Sequence, residues 1–411
     1  MNPTPLQSST RTSFWIALLV AFVDFIGIGL VYPMFSAMLF DPSSALVPAG
    51  TSEGTRGMWL GVLIALLPLA QFFTAPIWGA ISDSKGRKKP LGWSLAITLL
   101  GYIVAIYGVV WSQILLLLAS RFIIGFASGN MAIVQASIAD VSPPEKKAKN
   151  FALYGMALGA GFTVGPLLGG TLSTWGFNVP FIFAALMIAV NLGLVLLFFK
   201  ETHLQVFKRK LSWAMGFIHL KKAFGFYEIR IILLCSFLHN FAWSYFFEFA
   251  PVYLIHRYQF SAAKLGLFYG AAGGFYALST GLLIRPFLGR LKPELLFFAG
   301  NFFTAFMILF MLAIPSAFWL WPLLFLNQFF VAFVGPTSIT LVSNSAPSHV
   351  QGEAMGVLSS VNALALVLSP LFSGSFVGNH PTLPMWVGGC GMFCIALIGI
   401  GVFRRRLFRS F

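Results

Sequence analysis

Charged residues are scarce in this chain of 411 residues: they account for 9% of it, whereas hydrophobic residues account for 58%. Acidic residues are the scarcest, because 11 Asp and Glu stand against 26 Lys and Arg. A soluble domain of this length has too little interior to hide so much apolar surface. The shortage of charge therefore excludes a soluble domain and predicts a polytopic membrane protein.

Cysteine and recognisable catalytic motifs are scarce as well. Cys235, Cys390 and Cys394 lie in apolar runs and lack the spacing of a disulfide framework or a metal site, which predicts free buried thiols. The chain also lacks a nucleotide-binding loop, a metal-ligand cluster and a nucleophile–base motif. We therefore expect no enzyme activity, no catalytic residue, no metal and no cofactor, and the sequence argues against ATP hydrolysis within the chain.

Long apolar runs dominate what is present. Twelve of them reach the length that crosses a bilayer, about 20 residues per helix. They cover residues 14–40, 57–80, 91–111, 114–138, 150–172, 179–199, 231–255, 264–284, 294–314, 317–340, 353–376 and 384–403. The pattern predicts an all-α membrane protein with twelve transmembrane helices. The cation-rich segment 200–230 is a predicted cytoplasmic central loop between two six-helix halves, residues 1–199 and 231–411.

The cations indicate which side of the membrane each loop faces. With the N-terminus in the cytoplasm, nearly all Lys and Arg fall in cytoplasmic segments. The exceptions are Arg56, Arg257 and Lys264 on the other side and Arg121 within a run. By the positive-inside rule we expect a multi-pass protein of the inner (cytoplasmic) membrane with both termini in the cytoplasm. The formal charge of +15 by itself suggests a nucleic-acid partner, but its location in loops beside the lipid bilayer removes that idea.

The loop between the second and third runs, residues 79–91, reads GAISDSKGRKKPL. Four cations in a tight hairpin mark a cytoplasmic loop, and a topology signal alone is one interpretation. The layout Gly-x-x-x-Asp-x-x-Gly-Arg-Lys goes further, because it resembles the signature loop of the major facilitator superfamily. The matching positions are Gly79, Asp83, Gly86, Arg87, Lys88 and Leu91. The resemblance implies the major facilitator fold and a conformational latch, in which Asp83 contacts neighbouring cations and the start of the eleventh helix.

The first run places Asp24 near the middle of the membrane, where an ionised carboxylate costs about 2.5–3.5 kcal/mol on insertion scales. Such a residue is expected to face a cavity or to carry a proton, and pairing with a neighbour purely for packing is the alternative. The pattern Asp24-x-x-Gly-x-Gly-Leu-x-x-Pro33 resembles the first helix of tetracycline-type and multidrug proton antiporters. That resemblance implies a role for Asp24 in proton coupling.

The fourth run contains a membrane arginine. Spacing places five of its residues on one helical face: Arg121, Gly125, Ser128, Ala132 and Gln135. A polar stripe on an apolar helix is expected to line water or protein, which makes Gln135 a candidate for a substrate cavity. Arg-x-x-x-Gly at this place resembles a second superfamily motif, which implies that Arg121 takes part in proton transfer. A structural ion pair is the alternative, with Asp24 as the candidate counter-charge.

The fifth run contains the string Gly-x-x-x-Gly-Pro-x-x-Gly-Gly at 161–170. Small residues let helices approach closely and proline disturbs the helix, so ordinary close packing is one interpretation. The complete string resembles the antiporter motif, which within the superfamily marks exporters rather than uptake systems. Its positions are Gly161, Gly165, Pro166, Gly169 and Gly170. The eighth run, with Gly266, Gly270, Gly273 and Gly274, is the expected packing partner.

The second half offers several polar residues within apolar runs. In the seventh run Glu248 is a candidate for proton coupling, because burial raises carboxyl pKa values, and a solvated rim residue is the alternative. His239 and Asn240 in the same run are candidates for the cavity, although His239 is equally interpretable as a packed residue. Three further cavity candidates lie in the tenth and eleventh runs: Asn327, Gln328 and Asn362.

The residues and resemblances together predict a proton-coupled secondary antiporter that exports a small organic molecule or drug by alternating access of its two halves. Its expected partners are protons, the small-molecule substrate and the lipid bilayer, without nucleic acid, and we expect a functional monomer. Within the transporter class, the alternatives are export of an endogenous metabolite such as a siderophore and proton-coupled uptake. A receptor or scaffold has no need of Asp24 and Arg121 in the membrane.

Overall fold

The computed structural model describes residues 5–41, 44, 46–48, 50–202, 229–345 and 351–407. Within these residues the secondary structure is helical, without a β-strand. Each of the twelve apolar runs corresponds to a helix, and we number these helices α1 to α12. Most of the predicted central loop, residues 203–228, lies outside the described residues.

The first six helices are α1 Pro5–Phe40, α2 Glu53–Lys85, α3 Lys88–Val110, α4 Ile114–Asp140, α5 Pro144–Leu172 and α6 Val179–Phe198. The last six are α7 Arg230–Tyr258, α8 Ala262–Leu278, α9 Pro293–Phe310, α10 Leu320–Ser345, α11 Gln351–Val377 and α12 Leu383–Leu407. Ten of the twelve contain an apolar stretch long enough to cross a membrane. The two shorter ones are α8, which continues into the π-helical turn Ser279–Leu283, and the apolar part of α12, Leu383–Gly399.

Polar caps set the ends of several helices beyond the apolar runs. The helix α2 begins at Glu53 rather than at the predicted residue 57, because the Ser52 hydroxyl accepts a hydrogen bond from the Thr55 amide. Gly86 ends α2 with a φ of 82°, a left-handed value that favours glycine, and α3 starts two residues later. Apolar runs predict the membrane-embedded part of a helix, whereas its ends depend on caps.

Helix α4 is broken in the middle, which the continuous run 114–138 did not predict. Its segments Ile114–Ala127 and Asn130–Asp140 are separated by a turn at Ser128 and Gly129. Side chains of α2 hold this turn: Trp78 Nε1 donates to the Phe126 carbonyl at 2.7 Å and Gln71 Nε2 donates to the Ser128 carbonyl at 3.3 Å. A break in a membrane helix is tolerated where neighbouring groups satisfy the freed carbonyls.

Because successive helices alternate in direction, their ends lie on two sides. We call the side with residues 86–87, 141–143 and 199–202 the motif-loop side, and the side with residues 41–52, 173–178 and 259–261 the opposite side. Most helices pack mainly on others of their own group, α1–α6 or α7–α12. The exceptions are α8, which packs mainly on α5, and α11, whose main single partner is α2. The two groups meet where α2 packs on α11, where α5 packs on α8, and where α1 contacts α7 and α8.

Close approach between the two groups is concentrated on the opposite side. A Cβ atom on Gly61 of α2 would lie 3.0 Å from the Gly374 Cα of α11. A Cβ atom on Gly170 of α5 would lie 2.8 Å from the Gly266 Cα of α8. Farther along the same helices toward the motif-loop side, Gly79 and Gly155 have no heavy atom within 4 Å of an added Cβ. The closest glycine contacts between the groups therefore lie on the opposite side, whereas Gly79 and Gly155 face open space toward the motif-loop side.

Candidate functional site

Asp24 lies midway along α1 and is hydrogen-bonded to one side chain of the broken helix. Its Oδ2 accepts a hydrogen bond from Asn130 Nδ2 at 2.7 Å. Its Oδ1 is buried and has no hydrogen-bond partner, and the same is true of Asn130 Oδ1. Asn130 is the first residue of the second segment of α4 and is 1% exposed. A buried carboxyl oxygen with no partner favours a group that binds and releases a proton.

Two tyrosines complete the polar surroundings of Asp24. The phenols of Tyr102 on α3 and Tyr154 on α5 are each electrostatically coupled to its carboxyl group. Gln135, the predicted cavity residue, is exposed and donates from Nε2 to Tyr154 Oη at 3.0 Å. The sequence missed Asn130, Tyr102 and Tyr154, because no spacing along one run shows which residues of four helices meet.

Arg121 is 4% exposed and does not pair with Asp24. Within the described residues, the two side chains form no ion pair. Arg121 Nε instead donates to the Leu63 carbonyl of α2 at 3.3 Å, and its guanidinium lies 5.0 Å from the centre of the Phe35 ring, a cation–π contact. The prediction that Asp24 is the counter-charge of Arg121 is therefore wrong, because Asn130 lies beside the Asp24 carboxylate.

The predicted face of α4 meets protein at one end and open space at the other. An added Cβ on Gly125 would lie 2.8 Å from the Leu67 Cα of α2, so this residue packs between helices. After the turn at Ser128 and Gly129, Ala132 and Gln135 are exposed.

The motif loop is held by a charged cluster around Arg87, which is 5% exposed. Its Nη1 lies 2.7 Å from Asp83 Oδ1 and 2.8 Å from Ser82 Oγ, and its Nε lies 2.9 Å from Asp140 Oδ2 at the end of α4. Burial alone would lower the pKa of Arg87, but the hydrogen bonds to Asp140 and Asp83 outweigh it and raise the pKa above its ordinary value. The side chains at the start of α11, the other expected contact of Asp83, lie outside those that the structure describes.

Glu201, just after α6, joins the same cluster through the backbone of α3. Its carboxylate accepts from the amides of Arg87 at 2.7 Å and Lys88 at 3.1 Å. These amides belong to the start of α3, where the helix dipole favours an anion. The φ of Gly86 favours glycine, and an added Cβ there would lie 2.6 Å from the Glu201 carboxyl carbon and displace that carboxylate. The loop, α4 and the end of α6 are thus tied together on the motif-loop side.

The predicted antiporter motif packs mainly against α1 rather than α8. Added Cβ atoms on Gly161 and Gly165 would lie 2.7 Å from the Phe22 carbonyl and 2.6 Å from the Ile26 carbonyl, and Gly169 contacts Leu30 in the same way. In contrast, Gly170 and the Pro166 carbonyl face Gly266 of α8. The expected partner, α8, is therefore correct for one side of α5 only. The other side fixes α1, the helix that carries Asp24.

Glu248 on α7 is 9% exposed, and its Oε2 is buried without a hydrogen-bond partner. A solvated rim position, the alternative interpretation of this residue, is therefore wrong. Tyr269 of α8 interacts electrostatically with Glu248, and its phenol donates a hydrogen bond to the Phe247 carbonyl. A second buried carboxyl group thus lies in the last six helices.

The remaining cavity candidates are mostly enclosed by helix packing. His239 is 9% exposed, and its Nδ1 lies 2.8 Å from Asn301 Oδ1. Asn301 Nδ2 donates to the Phe297 carbonyl, so Asn301 Oδ1 is the acceptor and His239 Nδ1 carries the proton. Asn240 donates to the Ser236 carbonyl at 2.8 Å. The sequence shows that these residues are polar, but it does not show which of them line open space.

Asn327 and Gln328 on α10 were also predicted to line the cavity. They are 0% and 2% exposed, so they lie within helix packing. Asn362 on α11 is half-buried and its Oδ1 has no hydrogen-bond partner. Of these three, only Asn362 is placed at a partly open position.

Aromatic side chains from four helices join the two groups of helices, and we call this set the aromatic bridge. Its members are Tyr32 of α1, Phe162 of α5, Trp243 and Phe247 of α7, and Tyr269 of α8. Phe247 is central: its ring centre lies 5.2 Å from Trp243 and 6.1 Å from Phe162 in stacked geometry, and 4.7 Å from Tyr269 edge to face.

The cysteines and metal ligands add nothing to this site. Cys235 is buried, but Cys390 and Cys394 are exposed on α12, which corrects the expectation of three buried thiols. They lie four residues apart on α12. In the part of the chain that the structure describes, no three His, Cys, Asp or Glu are grouped to hold a metal ion.

Comparison with known proteins gives consistent results. The family model described as Major Facilitator Superfamily matches residues 14–370. The class G tetracycline resistance protein of Vibrio anguillarum is 30% identical over 402 residues, which cover 96% of this chain and 98% of that protein. The quinolone resistance protein NorA of Staphylococcus aureus strain N315 is 27% identical over 378 residues, covering 89% of this chain and 90% of that protein.

Solved structures share the fold. The human organic anion transporter MFSD10 superposes with a TM-score of 0.68 at 24% identity, covering 95% of this chain and 99% of that one. A D-xylose–proton symporter superposes with a TM-score of 0.75 at 15% identity, covering 95% and 97%. Twelve membrane helices, the motif loop and these matches lead to one assignment. The chain belongs to the Major Facilitator Superfamily, and it is a multi-pass membrane transporter rather than an enzyme.

Proposed function

We propose that this transporter is a proton-coupled antiporter that exports a small organic molecule or drug. The observation that carries the proposal is the Asp24 carboxyl group in the middle of α1, with one oxygen bonded to Asn130 and the other buried without a partner. A membrane carboxyl group in this setting binds a proton at low energetic cost. The named activities of similar proteins, resistance to tetracycline and to quinolones, support export of a drug-like compound.

The proposed mechanism is alternating access of the halves 1–199 and 231–411. The halves make their closest glycine contacts on the opposite side and leave Gly79 and Gly155 open toward the motif-loop side, so a substrate reaches the space between them from the motif-loop side. The aromatic bridge closes the path beyond that space and offers ring surfaces to the substrate. In the alternate state, contacts at the motif loop replace those on the opposite side.

The predicted proton-coupling, motif-loop and antiporter-motif residues have parts in this mechanism. Asp24 binds the proton, Arg121 adjusts its release through Tyr102, and Glu248 provides a second protonatable group in the other half. Asp83 and Arg87 belong to the latch on the motif-loop side, and the glycines of α5 keep α1 in place.

The distribution of cations supports an orientation in which the motif-loop side faces the cytoplasm. Both termini then lie in the cytoplasm, and the protein is in the inner (cytoplasmic) membrane. The two halves enclose the space for the substrate within one chain, which supports a functional monomer without nucleic acid.

Proton movement in inverted membrane vesicles tests the proposal. The vesicle interior is acidified, and tetracyclines, lipophilic cations and siderophores are added in turn to native protein and to Asp24→Asn. Antiport predicts a compound-dependent collapse of the pH gradient that Asp24→Asn abolishes. Asp41→Asn, the same change in a loop on the opposite side, is the matched control and leaves the response unchanged.

Each outcome separates the competing functions. A collapse driven only by siderophores assigns export of an endogenous metabolite rather than of drugs. A compound that leaves inverted vesicles together with protons assigns uptake in the cell. An equal response in native protein and Asp24→Asn removes Asp24 from the mechanism.

A further inference from the structure

We propose that Asn130 is a positioning residue for proton coupling: its amide holds Asp24 in both protonation states. It donates Nδ2–H to the ionised carboxylate, and after rotation it accepts the acid proton at Oδ1. This inference rests on the proposed role of Asp24 as the proton-binding group.

The hydrogen-bond geometry of the pair supports the inference. Asn130 Nδ2 lies 2.7 Å from Asp24 Oδ2, a short distance typical of a hydrogen bond to an ionised acceptor. The two atoms left over, Asp24 Oδ1 and Asn130 Oδ1, are both acceptors, and both are buried without partners. A proton on Asp24 joins an unpartnered oxygen of each residue, because the acid O–H donates where the carboxylate only accepts.

No nearby cation pairs with the ionised Asp24 carboxylate in place of Asn130. The titratable groups that face Asp24 are phenols, Tyr102 of α3 and Tyr154 of α5. Arg121 of α4 is coupled to Tyr102 and hydrogen-bonded to α2. Helix α6 has no titratable side chain, and α2 has none between Arg56 and Asp83. On α7 and α8, His239 binds Asn301 and Glu248 faces Tyr269. The Asn130 amide is therefore the group that makes different hydrogen bonds to the ionised and the protonated form of Asp24.

The position of Asn130 connects this proton to a structural element. It begins the second segment of α4, directly after the turn at Ser128 and Gly129. Gln71 and Trp78 of α2 hold that turn, and α2 carries the motif loop at its end. Rotation of the amide on protonation thus acts at the break in α4, beside the helix that packs on α11.

Infrared spectroscopy of the protein in lipid tests the pair without any substrate. The C=O stretching absorption of a protonated carboxyl group that disappears in Asp24→Asn reports the protonation of Asp24. Asn130→Leu keeps the side-chain shape but removes the donor that favours the ionised form. We expect the titration midpoint to move toward alkaline by about one pH unit, because the hydrogen bond lost from the ionised form is stronger than the one lost from the acid. Asn130→Thr, which keeps a hydroxyl donor, recovers part of that shift.

Asn191→Leu is the matched control. Asn191 of α6 is also 1% exposed, and neither of its amide atoms has a hydrogen-bond partner. We expect the Asp24 midpoint in this variant to equal that of the native protein. The pH profile of compound-driven proton movement shifts with the infrared midpoint in Asn130→Leu and not in Asn191→Leu.

The outcomes separate this inference from the proposed function. An unchanged midpoint in folded Asn130→Leu and Asn130→Thr, or an equal shift in Asn191→Leu, overturns the inference and leaves the vesicle assay to decide the role of Asp24. If Asn130→Leu does not fold, Asn130→Thr decides: a smaller alkaline shift supports the inference and no shift refutes it. A shifted infrared midpoint with an unshifted transport profile refutes the coupling role of Asn130.

Discussion

At the scale of residues, the sequence predicted which side chains are unusual but not what they contact. Asp24 and Arg121 are recognisable because charge is rare in a membrane helix. Their partners, Asn130 and the Leu63 carbonyl, depend on how α1, α2 and α4 are rotated against one another. Spacing along one helix shows a face, whereas the register between helices follows from packing. An asparagine within an apolar run therefore received no role until its contact with Asp24 was visible.

Replacing Arg87 by lysine is expected to slow transport. Arg87→Lys keeps the charge but cannot span Ser82, Asp83 and Asp140 with one planar group. Loss of one charge-assisted hydrogen bond at a buried position is worth about 1.5–3 kcal/mol, so we expect transport to slow by about tenfold or more if the latch limits the cycle. Initial rates of substrate-driven proton movement in vesicles measure this slowing of transport.

The control for Arg87→Lys is Lys89→Arg. It exchanges the same two residue types in the opposite direction, at another cation of the same loop. We expect its transport rate to match that of the native protein. Equal rates in all three proteins contradict a latch that depends on the shape of the Arg87 side chain.

At the scale of elements, the twelve helices and their order followed from the apolar runs, since a membrane helix needs about 20 apolar residues. The break in α4 did not follow, because Ser128 and Gly129 are also compatible with a regular helix. Contacts with Trp78 and Gln71 of α2 decide between the two conformations. The glycines of α5 were recognised as a packing motif, but the sequence did not show that most of them face α1.

Close packing between α2 and α11 predicts that Gly61→Ala destabilises the protein. In Gly61→Ala the new methyl group would lie 3.0 Å from the Gly374 Cα and in contact with the Pro370 carbonyl, both parts of the backbone. Overpacking of this kind costs about 1–3 kcal/mol, so we expect a lower thermal unfolding midpoint in detergent.

Gly193→Ala in α6 is the matched control, because an added Cβ there has no heavy atom within 4 Å. Alanine is the better helix former, by about 1 kcal/mol, so the control is expected to unfold at the native temperature or above it. A lower midpoint in both variants contradicts an effect specific to the contact between α2 and α11.

At the scale of the whole molecule, three sets of contacts close the opposite side. They are the glycine contacts of α2 with α11 and of α5 with α8, the aromatic bridge, and a polar contact in which His256 Nε2 of α7 lies 3.6 Å from Glu53 Oε2 of α2. The first two exclude water between apolar surfaces, whereas the third is partly exposed and worth little by itself. Alternating access requires all three to separate together, because each one joins the first six helices to the last six.

A crosslink across this closed side tests that requirement. Glu53→Cys and His256→Cys are combined in a background where Cys235, Cys390 and Cys394 are serine, and a short thiol crosslinker joins them. We expect the crosslinked protein to bind a compound found active in the vesicle assay from the motif-loop side and not to transport it, with transport restored when a cleavable crosslinker is reduced. The pair Tyr258→Cys and Ile314→Cys joins two residues within the last six helices, where Tyr258 Oη donates to the Ile314 carbonyl at 2.8 Å, and is expected to leave transport intact. Transport that continues in the fully crosslinked Glu53–His256 pair would contradict a cycle in which the two halves separate on the opposite side, because that link fixes them together while leaving each half unchanged.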